Sequence, residues 1–194
     1  MKKILAAAVA TALALPAFAQ SVATEVQRNV NQQQRIEQGL QSGSLTTKEA
    51  AKLEKGEARI DRMEANALKD GKLGPNEKAR IQEAQNKESA EIAKLKGNDR
   101  TGNPASASSQ RMQADVQRNV NQQQRIEQGV QSGQLTNRET ARLEAGQSKV
   151  AAKEAKAGAD GHVDAKEQAK IQKAENKQGK KIHHEKHDAQ AKPQ

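Results

Sequence analysis

Apolar residues fall at helical spacing in three successive blocks, and the same three blocks return ninety positions later. Val22, Val26, Val30, Ile36 and Leu40 lie near one face of a first predicted helix, with Gln and Asn over the rest. Gly39 and Gly43 punctuate its end. Leu45 follows, then Thr46 with Glu49 three residues on. A Thr and a Glu at this spacing satisfy two free amides of a helix start reciprocally, so Thr46 is predicted to cap a second helix. That helix carries Leu53, Ile60, Met63 and Ala67 on one side. Asp70 and Gly71 end it. Gly74 and Pro75 open a third helix, with Pro where its missing N–H costs nothing, and Ile81, Ala84, Ile92 and Leu95 repeat along it. No proline falls inside a predicted helix.

The recurrence is strict at first. VQRNVNQQQRIEQG occupies residues 26–39 and, without change, residues 116–129. Thr136 with Glu139 repeats the first capping pair, and Leu143, Asp160 with Gly161, Ile171 and Ile182 repeat the later landmarks. Asp164 with Glu167 replaces Gly74 and Pro75 as the third helix start. A ninety-residue period is a duplicated domain, because solenoid repeats run to about 20–50 residues. The fold class expected is therefore all-α: two copies of a small antiparallel three-helix module. Repeat 1 is predicted over residues 20–96 and repeat 2 over 114–182. Between them, residues 97–113 are rich in Gly, Ser, Asn and Pro, the composition of a flexible linker.

The amino terminus has a different character. Lys2 and Lys3 precede an apolar run from Ile4 to Leu15, too short to span a bilayer, and Ala17-Phe18-Ala19 matches a signal-peptidase site. Residues 1–19 are thus expected to be a signal peptide cleaved after Ala19, delivering the protein to the periplasm. Phe18, the only aromatic residue, would leave with it. Base stacking on single-stranded nucleic acid needs aromatic platforms, so nucleic acid is not an expected partner. No later segment is apolar enough for a membrane span. There is no cysteine, which excludes disulfides, thiolate nucleophiles and Cys-based zinc. The formal charge is +9, but basic and acidic residues alternate along most of the predicted helices.

The second turn of each copy reads Asp70-Gly-Lys-Leu-Gly-Pro-Asn-Glu77 and Asp160-Gly-His-Val-Asp-Ala-Lys-Glu167. Both resemble the second half of an EF-hand calcium loop, in which a ligand Asp, a Gly, a hydrophobic residue and a terminal Glu follow one another. The first turns, 42–49 and 132–139, are similar with Ser for Asp. The resemblance implies Ca²⁺ held weakly by Asp70 and Glu77 or by Asp160, Asp164 and Glu167. It also implies that Leu45 with Leu73, and Leu135 with Val163, pair two loops side by side. The chain departs from the family at the early ligand positions, which hold Asn66 and Leu68 in one copy and Lys156 and Gly158 in the other. Its Gly-x-Leu-Thr-x-x-Glu and Asp-Gly elements also resemble those of exported proteobacterial proteins.

The carboxy-terminal tail, residues 183–194, is rich in His and Lys. His183 and His187 share a helical face, with His184 beside them, and could clamp Cu²⁺, Ni²⁺ or Zn²⁺ with oxygens from Glu185 and Asp188. No nucleophile motif or phosphate loop is present, so catalysis is not expected. The function expected is a non-enzymatic binding or scaffold protein acting on another periplasmic protein. The alternative is metal binding at the turns or the tail.

Overall fold

The computed structural model describes residues 17–188, with side chains from Ser21 onward. Residues 1–16 of the expected signal peptide and residues 189–194 of the tail lie outside this range. Among the described residues there are six α-helices and no strand. They are α1 (Ala17–Ser42), α2 (Thr47–Ala67), α3 (Pro75–Lys96), α4 (Ala107–Gln131), α5 (Asn137–Ala157) and α6 (Ala165–His187), with one 3-10 turn at Gly158–Asp160. No helix is long and apolar enough to cross a membrane among those residues.

The helix boundaries follow local chemistry. Thr46 Oγ1 accepts from Glu49 N at 3.2 Å while Glu49 Oε2 accepts from Thr46 N at 3.0 Å. Thr136 with Glu139 and Asp164 with Glu167 close the same reciprocal pair. Gly43, Gly71, Gly133 and Gly161 take φ between 67° and 97°, the left-handed conformation that turns the chain after a helix.

The packing runs between the halves of the chain. Val22 and Val26 of α1 share a core with Ile126 and Val130 of α4. Ile36 and Leu40 share another with Met112 and Val116. The helices α1 and α4 therefore lie antiparallel, and so do α2 and α5, whose contact is the most extensive in the molecule. Both hydrophobic clusters draw on all six helices or their turns. The expectation was two self-contained bundles on a loose tether. Here the trios interlock instead, because each buries more apolar surface against the other than three short, aromatic-free helices could bury alone.

The turns pair accordingly, but across the halves. Leu73 joins the cluster of Leu135, and Leu45 joins that of Val163. Asn137 Nδ2 donates to Gly71 O at 2.9 Å and Arg138 to Asp70 O at 3.1 Å. The partners suggested by the EF-hand resemblance, Leu45 with Leu73, stand at opposite ends of the 21-residue helix α2. At about 1.5 Å per residue that is roughly 30 Å.

The segment expected to be a flexible linker is tied down. Gly102 N donates to Gly43 O at 2.8 Å, Asn98 Nδ2 donates to Glu49 Oε1 at 2.8 Å, and Ser106 caps α4. Residues from Ala107 onward already belong to that helix.

Candidate functional site

The structure separates charge by sign. More than half of the chain's 24 Asp and Glu side chains are buried. No Lys, Arg or His side chain is buried among the described residues. The interior of the α1–α2–α4–α5 layer holds Glu54, Glu57, Asp61 and Glu64 from α2, and Glu144 and Glu154 from α5. Asp115 of α4 and Glu175 of α6 are buried alongside them.

The invariant segments of α1 and α4 supply the donors. Asn29 Nδ2 donates to Glu64 Oε2 at 2.7 Å and Asn119 Nδ2 to Glu154 Oε2 at 2.6 Å. Gln33 Nε2 donates to Glu54 Oε2 and Gln123 Nε2 to Glu144 Oε2, each at 3.1 Å. Gln85 of α3 adds a bond to Glu64 Oε1 at 3.2 Å. The Gln and Asn residues that the sequence places on a wet helical face thus line the acidic interior.

Acceptors nevertheless outnumber donors. Oε1 of Glu54, Glu144 and Glu154, both carboxylate oxygens of Glu57 and of Asp115, and Oε1 of Gln33 and Gln123 have no hydrogen-bond partner. Burial pushes Glu54 and Glu144 up to about 7, against the amides of Gln33 and Gln123 that favour their charged forms. Burial and neighbouring carboxylates push Glu57 and Asp61 well above the ordinary range. Burial first, then Glu144, does the same to Glu64, and burial and Glu54 do so to Glu154. Carboxyl groups in such a place are held only when protonated or, if ionised, neutralised by a cation.

Above this layer the outer face of α2 and α5 is basic. Lys48, Lys52, Lys55, Arg59 and Arg62 form a solvent-exposed stripe along α2 at spacings of three and four residues. They rim an open groove of about 1010 Å³ whose floor is apolar, with Ala58 and Met63 on one side and Ala152 and Ala155 on the other. Glu49 is the only acidic residue lining it.

The metal-ligand residues suggested by sequence lie elsewhere. Asp70 Oδ1 accepts from Lys72 N, and Asp160 Oδ1 from His162 N, each at 2.8 Å. Glu77 Oε2 accepts from Gly74 N at 2.9 Å. Asp164 and Glu167 serve each other's amides at 2.7 and 3.0 Å. Backbone hydrogen bonds to Glu167 hold the Asp164 carboxyl below its ordinary range. The Asp70 and Asp160 oxygens close the turns, and those of Glu77, Asp164 and Glu167 serve the helix starts. His183, His184 and His187 are exposed on α6. The rings of His183 and His187 stack with centroids 4.3 Å apart, and His187 Nδ1 lies 2.7 Å from His183 O. Two close triads of ligand side chains occur among the described residues: Asp61–Glu64–Glu144, and Glu139–Glu185–Asp188. Neither contains Asp70, Glu77, Asp160, Asp164, Glu167 or a histidine, although the second brings Glu185 and Asp188, expected to join the histidine clamp, onto Glu139 of the first turn of the second copy.

No family model, curated protein or solved structure matches this chain.

Proposed function

We propose that this chain is an exported, non-enzymatic helical binding protein, and that the α2–α5 groove receives an acidic amphipathic helix of a periplasmic partner. The observation that carries the reading is the groove itself: a rim of cations from Lys48 to Arg62 over a floor of Ala and Met. A helix-in-groove partner needs an apolar stripe of small and flexible side chains to pack on and complementary charge along the edges. The groove is open along its length, so it suits a helix better than an enclosed small molecule, which would need most of its surface covered. The exported location rests on the charged start, short apolar run and Ala-x-Ala exit of residues 1–19. Two copies of the three-helix module give the groove one wall each, since α2 and α5 are corresponding helices ninety residues apart.

A photoreactive residue at Ala155, in the groove, and another at Lys173, on exposed α6, test this in cells. The Ala155 probe is expected to capture a segment whose sequenced peptide is acidic and amphipathic. Capture is expected to vanish in the Lys52→Glu, Arg59→Glu double variant. Identical products from both probe positions, or capture that survives the charge reversal, would refute the assignment.

A further inference from the structure

We propose that Asp61, Glu64 and Glu144 form an all-oxygen site for one hard divalent cation of the Ca²⁺ or Mn²⁺ kind, inside the bundle where α2 crosses α5. One carboxylate oxygen from each of the three lies within 4.8 Å of the others. All three side chains are buried, with Glu144 fully so. The cluster does not stand alone. Glu144 Oε1 has no partner, and neither has Oε1 of Gln123, whose own Nε2 donates to Asp61 Oδ1 at 3.3 Å and to Glu144 Oε2 at 3.1 Å. Gln123 is 2% exposed, so that orphaned oxygen faces protein rather than water. Unmade hydrogen bonds at such depth are costly, and a cation is the group that satisfies several acceptors at once.

The donor chemistry selects the ion. Carboxylate and amide oxygens with no imidazole or thiolate suit Ca²⁺, Mg²⁺ or Mn²⁺ and not copper or zinc. The three carboxylates supply three oxygens, one from each, towards the six to eight that Ca²⁺ takes. Asn29 and Gln85 hold Glu64 from behind through its two oxygens, which fixes the direction of its carboxylate. The site is independent of the groove, and it is also distinct from the helix-capping turns.

The second copy supplies an internal control. Ninety residues on, Glu54 and Glu154 form the equivalent carboxylate pair, but the residue corresponding to Asp61 is Ala151. The pair without the third acid is not part of a ligand triad among the described residues. One ion per chain follows, not two.

The test uses the mature chain stripped with chelator and titrated calorimetrically with CaCl₂, MnCl₂ and MgCl₂, with thermal melting by circular dichroism alongside. Saturable binding of one equivalent of Ca²⁺ or Mn²⁺ and a higher melting temperature are expected. Asp61→Ala, which copies the side chain already accommodated at Ala151, is expected to weaken binding on the order of a hundredfold while keeping its helicity. Asp160→Asn, in the turn, is expected to bind as wild type. Should Asp61→Ala lose helicity, Glu144→Gln takes its place. Absence of binding by the three ions, or affinity unchanged in the folded Asp61→Ala or Glu144→Gln chain, would overturn the proposal.

Discussion

Replacing Asp115 by Asn isolates the cost of the acidic interior at a single residue. Asp115 is 1% exposed, neither of its carboxylate oxygens has a partner, and burial pushes its carboxyl up to about 8, with Glu175 adding to the rise and Arg118 opposing it. A folded-state value above the unfolded 3.8 means that the native protein holds this proton more tightly than the unfolded chain. The group therefore leaves stability intact in acid and erodes it as pH rises from about 4 towards about 8, at roughly 1.4 kcal/mol per pH unit. The whole interval corresponds to about 6 kcal/mol. Relaxation of the bundle and access of water on ionisation reduce this, and a gain of about 2 kcal/mol for Asp115→Asn is expected near pH 8.5. Near pH 4.5, where the wild-type carboxyl is protonated and of the same shape as the amide, the two chains are expected to agree within about 0.5 kcal/mol. The gain at high pH amounts to about 4–8 °C in melting temperature for a chain of this size. The chain has no Trp or Tyr, so urea and thermal melts are followed by circular dichroism. A difference between the two chains that stays constant with pH, or an Asn variant less stable than wild type in alkali, would refute the argument.

Two further perturbations probe the frame around the site. A Cβ at Gly102 would run into the carbonyl of Leu45, so Gly102→Ala is expected to destabilise by about 1–3 kcal/mol. It should also raise amide exchange over residues 97–106, and exchange already rapid there in the wild type would contradict the docked segment. Thr136→Ala removes one half of the cap that starts α5 and is expected to cost about 1 kcal/mol in a chemical melt, with Glu139→Gln costing less.

The parts of the fold that were legible in the sequence are those set by neighbours along the chain. Thr46 and Glu49 announce a helix start because the two groups that meet are three residues apart, and Gly43 and Gly71 mark helix exits through their own backbone freedom. Partnership between helices is set by surfaces distant in sequence. Leu45 could not reveal that it shares a core with Val163 rather than with Leu73. The interior acids were missed for a related reason. Apolar periodicity marks one face of α1, and the remaining Asn and Gln read as solvated. Yet Asn29 and Gln33 are buried on acids of α2. A signal was available: Glu54, Glu57, Asp61 and Glu64 recur at spacings of three and four residues, interleaved with Leu53 and Ile60 rather than opposite them. Carboxylates on the apolar side of a helix are either buried or mispositioned, and Asn and Gln at matching spacing on α1 are the donors that burial requires.

Duplication explains why the buried acids meet one another. Glu54 and Glu64 stand five residues to either side of Arg59. When a helix with that spacing packs antiparallel against its own copy about that point, each Glu is brought to the copy of the other. Glu54 meets Glu154, and Glu64 comes close to Glu144. Like charges are then juxtaposed twice, a geometry that only protons or cations make tolerable. No base is buried among the described residues, so the counterions reach the acids only from the rim, as Arg118 does at 2.8 Å from Glu175. Among the differences between the two crossings are two buried acids of α2, Asp61 and Glu57, which stand where α5 has Ala151 and Gln147. At the Glu54–Glu154 crossing burial and neighbouring carboxylates favour the protonated forms, whereas at the Glu64–Glu144 crossing Asp61 completes the triad proposed to hold a divalent ion. Keeping both glutamates in each copy makes the like-charge pairs unavoidable, and Asp61, which the second copy lacks, adds a third carboxylate to one of them.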